Sequence, residues 1–289
     1  MGRAAYWLCI MAIKTREAQT YKQLFNDSVG FKEWLLKHAD QTLLDPASSY
    51  EQITKFVINS AQLGFEHLCV SLGALHDANE LVKGRGLNVS LGTVIGFPHG
   101  NEATTDDKVR QITYAAMNGA SEVDIVANIH LLRSNKSEFL QELDTLSKVS
   151  HKFVLGIKAI LETYYLSNGE IRDVASMCEL CSMDFVKTST GFALPGKNHP
   201  DRDPSCTGAT EDVIALMGKG INDKSRVNIK PSGGIKSISQ LVSILKACHD
   251  AGWERDAVRP GISSGLMLVR DLDRMAIDSG GLREEARRV

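Results

Sequence analysis

Eight short apolar runs, each followed by a helical stretch, predict an α/β fold: a closed TIM-type (β/α)8 barrel preceded by one extra N-terminal helix. The spacing supports this, because each strand-helix unit covers roughly 25 to 45 residues, enough for a parallel crossover. Several runs are apolar on both faces instead of alternating, as in a parallel sheet covered by helices. A doubly wound open sheet is the alternative, and eight units in 289 residues favour closure.

The elements follow in order. An amphipathic helix occupies about 18–36. The strands are ADQTLL (39–44), HLCVSL (67–72), SLGTVIGF (90–97), EVDIVA (122–127), FVLGIKAIL (153–161), DFVKTST (184–190), VNIKPSGG (227–234) and AVRPGISSG (257–265). Segments with a 3.6-residue period lie between them, among them 50–62, 106–117, 139–149, 170–182 and 239–251. No Pro/Ser-rich linker divides the chain, so one domain is expected over 1–289. Residues 1–16 read as an N-terminal extension, with Met11 as an alternative start. Their short apolar run leads to Lys14 and Arg16 with no small-residue cleavage site, unlike a secretory signal. Tyr6 stands where a myristoylation motif needs Ser or Thr. The polar stretch 193–207, ALPGKNHPDRDPSCT, reads as an insertion on a βα turn, and 279–289 as a solvated tail.

Composition narrows the function. With a net charge of -2, no global field draws nucleic acid or an anionic membrane, so any basic chemistry is local. Six cysteines in a chain this long fit a reducing compartment, the cytoplasm, better than a disulfide framework. The single C-x-x-C, Cys178 and Cys181, shares one helix face and has no second ligand pair, so both read as small buried apolar groups. The eight histidines are scattered and no nucleotide-binding glycine loop is present, so neither a metal nor a cofactor is expected.

The chemistry is carried by lysines inside strand patterns: Lys158, Lys187 and Lys230 on the fifth, sixth and seventh strands. A buried ammonium is costly, and in a barrel the three would converge on the C-terminal mouth. Burial and neighbouring cations both push a lysine toward its neutral form, which can add to a carbonyl and form an imine. Structural or phosphate-binding lysines are the competing reading. Asp124 on the fourth strand is the matching acid/base, with simple charge balance as its alternative role. Glu122 is read as facing away from the barrel axis. SGG (232–234) and GISSG (261–265), after strands seven and eight, occupy the usual phosphate position of a barrel.

In their order, GFPHGN (96–101), EVDIV (122–126), ILET (160–163), VKTSTGF (186–192), IKPSGGIKS (229–237) and GISSG (261–265) resemble the deoxyribose-phosphate aldolase family from about Ala39 to Val269. The resemblance implies a metal-free class I aldolase that reversibly cleaves 2-deoxy-D-ribose 5-phosphate to glyceraldehyde 3-phosphate and acetaldehyde. It makes Lys187 the Schiff-base lysine, Lys230 its pKa-depressing neighbour and Asp124 the proton relay. By the same resemblance Lys158, Asp40, Thr42 and Cys69 line the pocket, and Gly191, Gly233, Gly234, Gly261, Ser263 and Ser264 hold the phosphate. The chain departs from the family at the insertion, at Gln41 (His in many relatives), at Ser71-Leu72 (Asn-Pro in many) and in a tail without tyrosine. These departures motivate a second reading, an aldolase-fold binding or scaffold protein with lost or changed activity. A homo-oligomer fits either one, and a protein partner fits the second.

Overall fold

The computed structural model describes residues 28–285, with side chains from 29 to 275. The expected extension at 1–16, the first part of the N-terminal helix and residues 286–289 lie outside the described residues. The described part of that helix is α1 (Ser28–His38). Strands and helices then alternate: β1 (Asp40–Leu43), α2 (Tyr50–Leu63), β2 (His67–Val70), α3 (Leu75–Arg85), β3 (Ser90–Ile95), α4 (Thr105–Met117) and β4 (Glu122–Val126). They continue as α5 (Ile129–Ser134), α6 (Lys136–Lys152), β5 (Gly156–Ile160), α7 (Asn168–Leu180), β6 (Phe185–Lys187), α8 (Glu211–Gly220), β7 (Asn228–Lys230), α9 (Ile238–Asp250), β8 (Gly261–Ile262) and α10 (Gly265–Glu285). Helix α10 runs into the segment read as a tail from 279.

Every strand pairs in parallel, in the order β7-β6-β5-β4-β3-β2-β1-β8. Parallel bridges from Ile229 to Val258 and from Ser232 to Gly261 join β7 to the β8 segment and complete the barrel. The helices begin where the sequence supplies caps. Ser49 with Gln52, Thr104 with Asp107 and Ser167 with Glu170 form reciprocal capping boxes, each satisfying amides that the first turn leaves unpaired.

The apolar core lies between strands and helices, not inside the barrel. Val123, Ile125, Ile157, Ala159, Val186 and Ile229 point outward into it. Their neighbours of opposite parity, Asp124, Lys158, Lys187 and Lys230, therefore point inward. Where barrel interiors usually stack Val, Ile and Leu, this one stacks charge.

One buried ion pair outside the barrel holds a mouth loop. Lys108 on α4 donates to Glu142 on α6 at 2.8 Å and to the Val126 carbonyl at 3.0 Å, and the Thr105 hydroxyl also donates to Glu142. The Lys108 stem packs under Gly96, where an added Cβ would come within 2.9 Å of it. Removing one partner leaves a buried charge alone, so Glu142→Ala is expected to cost about 3–5 kcal/mol. The double change Lys108→Met with Glu142→Leu should recover most of that loss. Denaturant midpoints of the two variants check this.

Candidate active site

The strand register assembles the site. Asp124 lies opposite Lys158 across β4 and β5, and Lys187 lies opposite Lys230 across β6 and β7. Both lysines reach one carboxylate oxygen, Oδ2 of Asp124, at 2.8 Å from Lys187 and 2.7 Å from Lys230. Lys230 also donates to Asp40 on β1. Lys158 contacts Asp124 at 3.3 Å and Asp40 at 3.5 Å, and it donates to Glu122 at 2.6 Å.

Glu122 corrects the expectation. Residues two apart on a strand share a face, so Glu122 points inward with Asp124. There it pairs with Lys158 and with Arg259, a residue that sequence reasoning did not single out. Lys158 correspondingly sits among Glu122, Asp40 and Arg259, with Phe185 beneath its ammonium, while Lys187 and Lys230 form the upper group.

Three carboxylates, Asp40, Glu122 and Asp124, thus face four basic groups, Lys158, Lys187, Lys230 and Arg259, all of them buried except the half-buried Glu122 and Arg259. The four basic groups differ in how firmly their surroundings hold the proton. Burial pushes the Lys187 amine below its ordinary value, and the Lys230 cation pushes the same way, against the pull of Asp124. Lys230 is also penalised by burial, but Asp124 and Asp40 together outweigh that and raise it. Lys158 is raised likewise by Asp40, Asp124 and Glu122 against its burial. The carboxyl of Asp124 stays well below the usual range, because Lys187, Lys230 and Lys158 overcome its burial. The arrangement therefore offers one basic, nucleophilic amine beside a carboxylate that stays ionised.

The remaining predicted residues separate by location. Thr42 is half-buried and its hydroxyl donates to the Asp40 carbonyl. Cys69 is buried beside Leu44 and Val94, and burial raises its thiol to about 11. Near them, at the ends of β1 to β3, opens a cavity of about 460 Å³ lined by Leu44, Leu72, Val94, Phe97, Ala103 and Phe192. Gly191 and Gly234 sit exposed at the rim, both in left-handed backbone, where an added Cβ would meet nothing within 4 Å. Gly233 also has positive φ and packs against Gly208. Ser263 is exposed, but the Ser264 hydroxyl is already used on the Ile235 carbonyl. Gly261 lies lower, against the Lys230 stem and Ser232, where a Cβ would be 3.0 Å from each.

The insertion leaves this rim and returns to it at Gly208-Ala209, where the Ala209 amide donates to the Ser232 carbonyl. Its body is tied to the segment after β5 and to the start of α8, since Arg202 is buried against Leu166, Asn168 and Asp212. Asp40, His67 and Glu122 place ligand atoms within 4.8 Å of one another. Lys158 and Arg259 already pair with Asp40 and Glu122 there. Cys178 and Cys181 are buried free thiols. No helix among the described residues is long and apolar enough to cross a membrane.

Comparison with known proteins identifies the family. The chain is 32% identical over 240 residues to the deoxyribose-phosphate aldolase of Clostridium kluyveri, covering 82% of this chain and 98% of that one. It is 30% identical over 239 residues to the deoxyribose-phosphate aldolase of Thermococcus kodakarensis, with 82% and 96% covered. Among solved structures, QR15, an aldolase, superposes with a TM-score of 0.68 at 30% identity over 84% of this chain and 97% of that one. The tetrameric deoxyribose phosphate aldolase of Aeropyrum pernix shares the fold at 20% identity with a TM-score of 0.70, covering 89% and 97%. The family profile of the DeoC/LacD aldolases matches residues 35–271. This chain belongs to the DeoC/LacD family of aldolases.

Proposed function

We propose that the chain is a class I, metal-independent aldolase, a single barrel domain that cleaves 2-deoxy-D-ribose 5-phosphate to D-glyceraldehyde 3-phosphate and acetaldehyde in deoxyribose phosphate catabolism. The neutral amine of Lys187 adds to the C1 carbonyl, and the resulting carbinolamine takes up one proton and loses water, leaving an iminium. Asp124, through water, takes the proton of the C3 hydroxyl. The C2–C3 bond breaks and its electron pair moves into the iminium, giving an enamine on Lys187 and free glyceraldehyde 3-phosphate. Protonation at C2 and hydrolysis then release acetaldehyde and restore the amine. Lys230 remains a cation and keeps Lys187 from holding its proton. The backbone amides around Gly191, Gly233 and Gly234 and the hydroxyl of Ser263 take the phosphate, with Gly261 giving close approach below.

One observation carries the reading: of the four basic groups in the barrel, Lys187 alone is pushed toward its neutral form. Relatives named deoxyribose-phosphate aldolase supply the substrate class. The test is borohydride reduction in the presence of acetaldehyde, with peptide mass mapping. The expected result is one reduced adduct on Lys187 and turnover of deoxyribose 5-phosphate. An unmodified wild-type protein overturns the Schiff-base reading. An adduct without turnover of this substrate instead favours the reading in which activity is lost or changed.

A further inference from the structure

Glu162 follows β5 with its backbone in the left-handed region, φ 52° and ψ 62°. For a residue with a Cβ this costs on the order of 1–3 kcal/mol. Its side chain is buried, and one carboxyl oxygen, Oε2, accepts from the Thr190 amide at 3.2 Å and from the Thr190 hydroxyl. The other oxygen, Oε1, is sealed from solvent and has no partner. Thr190 in turn accepts from the Phe192 amide at 3.0 Å. The same two segments are joined along the backbone, Leu161 N to Lys187 O at 2.9 Å and Thr163 N to Thr188 O at 3.1 Å. Glu162 is thus the side-chain latch on the turn between Lys187 and Gly191, the stretch linking the amine to the open rim.

A neutral acceptor would satisfy Thr190 without burying an ionisable group in strained backbone. We propose that Glu162 is a positioning residue for the chemistry at Lys187, holding the turn through Thr190 and changing the charge Lys187 feels as it gains or loses a proton. The inference rests on the reading of Lys187 as the reacting amine. Burial raises the Glu162 carboxyl to about 7, against the two Thr190 hydrogen bonds and the Lys187 cation. Lys187 on β6 is the charged group that acts on it among the described residues. Lys187 itself faces Asp124 on β4, Lys230 on β7 and Cys69 on β2, none of which the variants below alter.

Below neutrality the carboxyl is neutral. The proton then sits on Oε1, the oxygen with no donor aimed at it, and Oε2 still accepts from Thr190. Above neutrality an anion shares the dry interior with Lys187 and favours its ammonium form. Rising pH therefore strips the amine from the bulk side while Glu162 holds it back.

The experiment compares the pH dependence, from 5.5 to 9, of acetaldehyde and borohydride trapping on Lys187 in wild type, Glu162→Gln and Thr190→Val. The ratio of the Glu162→Gln rate to the wild-type rate is expected to rise above one as pH passes 7, by up to about threefold for half a unit in the amine's apparent pKa, over the range in which the amine still partly holds its proton. Thr190→Val removes a donor that favours the anion, so it should move the wild-type inflection to higher pH. A carboxyl whose folded pKa is raised contributes stability below the ordinary carboxylate range and loses it as pH rises through 7. The melting temperature of wild type should accordingly fall relative to Glu162→Gln between pH 5 and 8. Parallel trapping profiles in wild type and Glu162→Gln overturn the proposal and leave Lys187 standing as the nucleophile. Wild-type protein that never traps overturns both.

Discussion

Lys187→Ala is expected to lose turnover of deoxyribose 5-phosphate by a factor on the order of 10⁴ or more and to keep its fold. The loss is large because no other interior group can replace the amine: Lys158, Lys230 and Arg259 are all held protonated by the carboxylates. The fold survives because Lys187 is the group in excess. Without it, Asp40, Glu122 and Asp124 still face three cations, so no buried charge is stranded. Steady-state kinetics and a denaturant melt on the same preparation check both halves. A variant that retains more than about a hundredth of wild-type turnover places the nucleophile elsewhere.

Lys230→Met should behave in the opposite way on stability. It leaves Asp40 and Asp124 short of a cation, so Lys187 is drawn back to its ammonium form to balance them. Turnover at pH 7 is expected to fall about 10²- to 10³-fold, with the optimum moved to higher pH where the amine can be freed. Breaking a buried pair should also cost about 3–5 kcal/mol. The pH dependence has a definite sign. Asp40 and Asp124 have folded pKa values depressed below the usual carboxylate range, so their pairing contributes stability above that range. It is lost as pH falls through the folded values. The stability gap between wild type and Lys230→Met should therefore be widest near neutrality and close in acid. If Lys187→Ala and Lys230→Met destabilise equally at pH 7, the parity of interior charge is wrong.

The alternation of apolar runs and helices was legible because each βα unit buries one face locally, and that periodicity is written into neighbouring residues. The lysines were legible for the converse reason: an ammonium in an apolar strand stands out in one dimension. Arg259 gave a weaker signal, one basic residue in the run before β8, and Glu162 gave only its place in the ILET stretch. Glu122 was misread although its spacing of two from Asp124 puts both on one face. The insertion showed its length and polarity but not its course, because the anchors of Arg202 come from Leu166, Asn168 and Asp212.

From sequence alone came the barrel and the candidates for the amine and the carboxylate beside it, since each rests on residue type at a given strand parity. Only the tertiary structure decided how the charges divide, with Lys158 committed to Glu122, Lys230 to Asp40 and Asp124, and Lys187 left with Asp124 and pushed below its ordinary value. A pKa depends on distances between strands far apart in the chain and on how much water is excluded around them, and neither quantity exists until the barrel closes.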